Sequence, residues 1–159
     1  MNKWQPDSPW KGANSWRGVG FHIAGKTIRV QTKGDSDILD ITRQVQELIA
    51  EAGLKNGIVT LFIQGSTAAL TTMEFEAGLV EDFQNVCEKI APANTPYKHE
   101  ERWHDGNGHS HVRASLLGPS LTIPFNDSFL TLGTWQQIVV VDFDNRPRQR
   151  DIAVQIMGE

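Results

Sequence analysis

The feature that most constrains the fold is a series of short β-branched segments, separated by turn residues, with two stretches of helical periodicity among them. The segment 26–32 is rich in β-branched residues, and 58–64 is a continuous apolar run of the kind found in buried strands. Both segments predict strands. The later strand-like segments are 109–117, 120–125, 129–132, 135–143 and 152–157.

Two helices are predicted between these strands. From Thr42 to Gly53 the apolar residues recur at helical spacing, with Thr42 as the expected N-cap and Gly53 as the stop. From Glu76 to Ile90 a second apolar stripe forms, and Pro92 ends it. The stripe contains Leu79, Phe83, Val86, Cys87 and Ile90. We therefore predict an α+β fold, with two or three helices packed on antiparallel or mixed sheets in one domain.

Length and composition limit the classes of protein that fit. A chain of 159 residues suits a single domain, and its one cysteine excludes an intrachain disulfide. Because Cys87 lies on the apolar stripe, we interpret it as a core thiol rather than a nucleophile. The net charge of −4 argues against nucleic acid as a partner.

The beginning of the chain differs from the rest. It carries Trp4, Trp10 and Trp16 among Pro, Gly, Asn and Ser, without a periodic pattern. We interpret residues 1–24 as an arm that docks through its aromatic side chains, followed by a domain over 25–159. The arm has no apolar core typical of a signal peptide, and no apolar run reaches the ~18 residues of a membrane span. We therefore expect a cytoplasmic protein with no membrane partner.

The densest cluster of chemically active side chains lies between residues 97 and 113. If 109–117 is a strand, then His109, His111 and Arg113 project from one face, where two imidazoles can converge on one ligand. Asp105 precedes them in a turn that can bring a carboxylate close by, and His99 lies upstream. Imidazole and carboxylate groups suit a divalent metal or acid–base catalysis. The alternative is that these histidines decorate an exposed loop and a strand edge.

Two further segments can bind an anion. Ser66 and Thr67 follow a predicted buried strand and offer hydroxyl and backbone N–H groups to an oxyanion, although they can equally cap a turn. Glu74, just downstream, can serve as a base or ligand. The arginines at 146, 148 and 150 can hold phosphate, but pairing with neighbouring aspartates is favoured.

Nucleotide chemistry is not expected. The sequence has no P-loop and no G-x-G-x-x-G, so ATP and dinucleotide chemistry are not expected. It also has no G-x-S-x-G elbow, so α/β-hydrolase chemistry is not expected either. We therefore predict no nucleotide cofactor.

Long ordered stretches resemble the YjbQ-like family over roughly residues 25 to 159. The stretches are GSTAALTTMEFEAGLVEDF, DGNGHSHVRASLLGPSLTIPF, LGTWQQIVVVDFDNRPR and VQIMGE. The resemblance implies an α+β fold assembled as a homotrimer, with polar residues gathered in a pocket near a subunit interface. It carries over Glu74, His99, Asp105, His111 and the stretch 133–136, which includes Thr134 and Gln136.

This chain departs from family patterns at two places. His109 belongs to a branch with the motif HSH, and other members lack a histidine there. Another branch has Gln-His-Thr-Ser-Ala where this chain reads QGSTA over 64–68. The combination suggests a relocated imidazole.

Some family members are labelled secondary thiamine-phosphate synthases, which implies an enzyme acting on small phosphorylated molecules. The hypothesis assigns catalysis to Glu74, Asp105 and His111, and a zinc or magnesium ion to His99, His109 and His111; Asp105 and Glu74 are alternative magnesium ligands. The predicted substrate contacts are Ser66, Thr67, Arg113, Thr134 and Gln136. The alternative hypothesis is a non-enzymatic trimeric protein that binds a metal or another ligand.

Overall fold

The computed structural model describes residues 20–159, and residues 1–19, which include most of the predicted arm, lie outside the described part. The strands are β1 (His22–Thr32), β2 (Asp37–Asp40), β3 (Gly57–Ile63), β4 (Ala68–Met73), β5 (Ser120–Asn126), β6 (Phe129–Leu130), β7 (Gln137–Asp142) and β8 (Arg148–Gly158). The helices are α1 (Thr42–Ala52), α2 (Ala77–Ile90), α3 (Glu100–Trp103) and α4 (Gly108–Leu117). The predicted α+β class is confirmed.

The strands form two antiparallel sheets. The larger sheet has the order β1-β8-β3-β5-β6, and the smaller has the order β2-β7-β4. The smaller sheet is the middle layer of the fold, because both of its faces are covered. This explains the sequence of β7, whose apolar run Ile138–Val141 is fully buried.

Side-chain alternation along β7 separates two hydrophobic cores. Ile138 and Val140 face the larger sheet and α1, where Val45 and Ile49 are completely buried. Val139 and Val141 face the opposite way, towards α2 and α4. The candidate functional residues lie around α4 on this second side.

Helix boundaries agree with the predictions for α1 and α2, with one correction. Gly53 ends α1 in the left-handed conformation at φ 67°, as glycine allows. Thr42 is not the N-cap. It is the first helical residue, and its backbone N–H donates to the carboxylate of Asp40. Its hydroxyl accepts from the Ile138 N–H, which joins α1 to β7.

Candidate functional site

The prediction of a strand over 109–117 is wrong, because this segment forms helix α4. Successive residues of an α-helix turn by about 100°, so His109 and His111 point in directions about 200° apart rather than to one side. His109 is buried, whereas His111 is half-buried. The predicted convergence of these two imidazoles does not occur.

His111 instead meets His99. The two rings lie with centroids 4.3 Å apart and planes tilted by 37°. His99 Nε2 is 3.5 Å from Asp105 Oδ1, and this nitrogen is buried without a hydrogen-bond partner among the described residues. The structure therefore brings together three of the predicted site residues, which we call the histidine pair and its carboxylate.

A folded loop holds His99 against α4. The carboxylate of Glu100 accepts hydrogen bonds from the backbone N–H groups of Gly106 and Gly108, at 2.6 and 2.7 Å. A negative charge at the N-terminus of α4 is favourable for the helix dipole. At the other side of the loop, the Asn145 side chain donates to the Asp105 carbonyl oxygen. Both ends of the segment that carries Asp105 are thus fixed.

His111 lines a cavity of about 220 Å³ between α4 and the turn that precedes β4. Ser66 also lines this cavity, so a residue with an imidazole and a residue with a hydroxyl group border the same space. The other lining residues are Gly65, Ala68, Ala114, Ser115 and Pro119.

The turn at residues 65–67 has free hydrogen-bond donors. Among the described residues, the backbone N–H groups of Gly65, Ser66 and Thr67 donate to no acceptor, and the Ser66 hydroxyl makes no hydrogen bond. Gly65 has φ 129°, a conformation that favours glycine. Consecutive uncommitted N–H groups in a turn suit an anion.

Thr67 has a different role from Ser66. Its buried hydroxyl donates to Asp144 at 2.8 Å and accepts from Arg150 at 2.7 Å. Thr67 therefore anchors the turn to the molecule's interior, and its hydroxyl is already committed.

The alternating charges at 142–150 form a buried network. Arg150 donates to both carboxylate oxygens of Asp142, which is completely buried, and Thr32 donates to the same carboxylate. Arg148 pairs with Asp144 at 2.9 Å. The favoured prediction of pairing is thus confirmed for these two arginines, whereas Asp151 pairs with Arg29.

Arg113 and His109 lie on the other side of α4. The Arg113 guanidinium donates to the carbonyl of Ala91, the hydroxyl of Ser36 and the carboxylate of Glu88. With these partners it joins α2 to α4 and to the turn before β2. Arg113 and His109 border a separate cavity of about 210 Å³, so the structure does not bring them to the His111 cavity.

Glu74, Thr134 and Gln136 gather at the opposite end of the smaller sheet. All three are exposed, and Gln136 donates to the Thr72 hydroxyl near the end of β4. Ser66 and Glu74 are eight positions apart along this strand, which corresponds to about 25 Å. Within one chain the predicted pocket is therefore divided into three groups: the one at the His111 cavity, the one at the His109 cavity and the one around Glu74.

Burial and neighbouring charges shift the pKa values of His109 and His111. Burial lowers the pKa of His111, and the adjacent His99 lowers it further, while Asp105 and Asp144 oppose the shift. Burial also lowers the pKa of His109, with a further contribution from Arg113. In both residues burial therefore disfavours the protonated imidazole.

Cys87 packs beside the second core, where burial raises the pKa of its thiol. A thiol with a raised pKa is a poor nucleophile. This agrees with its interpretation as a core residue.

The predicted metal ligands do not fit a three-residue site. His99 and His111 are adjacent, but His109 faces another cavity, and Glu74 lies at the far end of β4. Across residues 20–159, no group of three or more His, Cys, Asp or Glu side chains has an arrangement that could hold a metal ion.

Comparison with known proteins identifies the family. The sequence model described as "UPF0047 protein YjbQ-like" matches residues 26–159. This chain belongs to the YjbQ-like family. The predicted resemblance is confirmed.

The match between this YjbQ-like chain and its curated relatives extends over nearly the whole length of each relative. A UPF0047 protein of Methanothermobacter thermautotrophicus is 34% identical over 142 residues, which are 89% of this chain and 97% of the relative. A UPF0047 protein of Archaeoglobus fulgidus is 35% identical over 130 residues, which are 82% of this chain and 98% of the relative.

A solved structure supports the same fold. It is a YjbQ-like protein of unknown function from Sulfolobus solfataricus P2, at a TM-score of 0.83 and 34% identity. The superposition covers 87% of this chain and 99% of the Sulfolobus chain. Family membership thus establishes the architecture, and the description of this relative assigns it no reaction.

No helix in the described range 20–159 combines the length and the apolar character that a bilayer crossing requires.

Sequence reasoning missed several residues that build the site. Glu100 carried no signal, because the two N–H groups that donate to its carboxylate lie across a loop whose path the sequence did not predict. The sequence likewise gave no indication that the Asn145 side chain donates a hydrogen bond to the Asp105 carbonyl oxygen. The interior role of Arg150 was visible only as an alternating charge pattern.

Proposed function

We propose that this YjbQ-like protein is an enzyme that acts on a phosphorylated small molecule in the His111 cavity. The proposal is supported by one observation above all: His111 and Ser66 line the same cavity, beside a turn with three uncommitted N–H groups. An anion-binding turn next to a half-buried imidazole suits a reaction in which negative charge develops on a phosphoryl oxygen.

The specific reaction to test is thiamine-phosphate synthesis. In that reaction a nitrogen of a thiazole phosphate attacks the methylene carbon of a pyrimidine diphosphate. A carbon–nitrogen bond forms, the carbon–oxygen bond breaks, and pyrophosphate leaves with the electron pair.

The site's own groups can assist this departure. The N–H groups of residues 65–67 would stabilise the growing charge on the leaving oxygens. A bound diphosphate also favours protonation of His111, which can then donate a hydrogen bond to the leaving group. Asp105, next to His99, would stabilise positive charge on the histidine pair.

The test is a pyrophosphate-release assay with the two substrates. We expect His111→Ala to lower kcat by about a hundredfold or more, because acid–base groups contribute about 10²–10⁴-fold. Asp105→Asn should also lower kcat while the melting temperature stays near that of the parent. The matched control is His104→Asn, which changes an exposed histidine of the same loop and keeps a residue tolerant of its left-handed conformation.

A parent protein without pyrophosphate release would exclude thiamine-phosphate synthesis. The broader proposal would then depend on other phosphorylated substrates, and unchanged turnover of any such substrate by His111→Ala would exclude His111 as a catalytic group.

A second candidate is a non-enzymatic protein whose histidines order the loop for ligand binding. The buried, unpartnered Nε2 of His99 favours it, since such a nitrogen is ready to accept or donate one more bond. If His111→Ala and Asp105→Asn lower the melting temperature together, in parallel with loss of a bound metal, the cluster is structural.

We also propose, from the family resemblance, that the protein forms a homotrimer. Repeated head-to-tail contact would place the Glu74 end of one copy near the His111 end of the next, which would rejoin these two of the groups separated in one chain. Light scattering on the full chain tests the stoichiometry. Co-expression of Glu74→Ala with His111→Ala tests the sharing, because only a site built from two copies can regain activity from two inactive parents.

A further inference from the structure

The buried Arg150 approaches the anion-binding turn from the interior. A Cβ atom placed on Gly65 would lie 2.8 Å from Arg150 Nη1. Gly65 also lines the His111 cavity. Any side chain at position 65 would therefore occupy the space next to the guanidinium.

The guanidinium is held rigidly by its other atoms. Nε donates to Asp142 at 2.7 Å, and Nη2 donates to Asp142 and Thr67, both at 2.7 Å. The side chain is only 8% exposed. Such an arginine has little conformational freedom left to lose when it binds a ligand.

Nη1 is the guanidinium nitrogen of Arg150 that has no hydrogen-bond partner among the described residues. Within the described range it donates no hydrogen bond, although the other guanidinium nitrogens are saturated. Nη1 is not one of the fully buried side-chain atoms that lack a partner, so this donor keeps some access to solvent. An accessible guanidinium donor on an otherwise fixed arginine is the second observation, besides the turn itself, that indicates a ligand with acceptor oxygens.

The local charges permit an anion. Asp142 and Asp144 are offset by Arg148 and Arg150, so the interior network is neutral before a ligand binds. An added phosphoryl group would meet N–H donors of the turn, the Ser66 hydroxyl and the remaining donor of Arg150.

We propose that Arg150 Nη1 is a phosphoryl-binding donor of the His111 cavity, and that Gly65 is required because it leaves this donor accessible. The inference rests on the proposed function and adds a charged group to its anion site. It also makes Arg150 both a structural residue, through Asp142, and a binding residue, through Nη1.

The experiment is NMR titration of the ¹⁵N-labelled full chain with inorganic phosphate at constant ionic strength. We expect shifts of the amide signals of residues 65–67 together with the Arg150 guanidinium signals, while the Arg29 guanidinium on the exposed side of the larger sheet stays unchanged. If the turn amides shift and the Arg150 guanidinium does not, Arg150 is not a ligand, and the proposed function stands without it. If neither responds, both the anion site and this inference fail.

Two variants give an independent measurement. Gly65→Ala should weaken phosphate binding on the order of tenfold, the loss expected for one charge-assisted hydrogen bond. Ser66→Ala, which keeps Gly65 and Arg150, should weaken it less. Equal affinities for the parent and Gly65→Ala, with the fold checked by the amide spectrum, would overturn the inference.

Discussion

At the scale of single residues, Glu100 decides whether the histidine pair exists. Its carboxylate accepts two backbone N–H groups from the loop that carries Asp105 and from the first residue of α4. His99 immediately precedes it, so one side chain determines where the loop meets the helix.

Replacing Glu100 by Ala should destabilise the protein by about 1–3 kcal/mol, because the N–H groups of Gly106 and Gly108 lose a charged acceptor. Chemical denaturation measures the change. The neighbouring Glu101 is exposed and makes no side-chain hydrogen bond in the described part of the chain, so Glu101→Ala is the matched control and should leave stability unchanged. An equal loss in both variants would contradict the role given to Glu100.

A second residue-scale prediction concerns the buried ion pair. Asp142→Asn should cost about 3–5 kcal/mol, because it leaves the Arg150 charge buried without its carboxylate. Asp151→Asn removes the carboxylate from the exposed pair with Arg29 and should scarcely alter the melting temperature. Thermal unfolding of the two variants side by side distinguishes the buried pair from the exposed one, and similar melting temperatures would show that Asp142 contributes no more than a surface charge.

At the scale of elements, α4 shows why a local pattern misled. The alternation of His109, His111 and Arg113 matched a strand, but the segment also contains good helix formers such as Ala114 and Leu116. Tertiary contacts decide between the two. Glu100 satisfies the start of the helix, and Ala114 packs against the smaller sheet.

The start of α4 also requires glycine. A Cβ on Gly108 would lie 2.4 Å from the Cβ of Tyr97 and 2.9 Å from Glu100 Oε1. We expect Gly108→Ala to displace the loop and separate His99 from His111, which should change the imidazole NMR signals and lower activity together. Gly25→Ala, where an added Cβ meets nothing within 4 Å, should change neither. Unchanged imidazole signals in Gly108→Ala would show that the loop tolerates the added methyl group.

At the scale of the whole molecule, the middle sheet separates the large core from the layer that carries the site. Its burial on both faces makes a stable support, and α4 places one histidine in each of two cavities. Because the pKa values of both histidines are lowered in the folded protein, the free energy of unfolding depends on pH.

Stability should fall as the pH decreases from 7.5 towards 5.5. His109 and His111 have folded-state pKa values below 6.5, so the unfolded chain takes up protons first and unfolding becomes more favourable. The carboxyl groups of Glu88 and Asp144, whose pKa values are lowered, stay ionised in this window. Denaturation of the parent and of His109→Gln at several pH values checks the claim: the variant should show a weaker dependence, and identical slopes would refute the contribution of His109.

The sequence by itself determined the α+β class, the two amphipathic helices, the principal buried strands and the family. These follow from patterns repeated over many residues, where hydrophobic periodicity outweighs local exceptions. It also located the regions that contain His99, Asp105, His111 and Ser66.

Only the tertiary structure decided which of these residues meet. A strand places residues i and i+2 on the same side, whereas a helix places them on different sides. In α4 the helix was favoured by the contact that Glu100 makes across a loop with Gly108. The separation of Glu74 from Ser66 likewise depended on the direction of β4. The position of Arg150 behind Gly65 depended on the pairing of strands distant in sequence, because side chains brought together by chain topology leave no short-range signal.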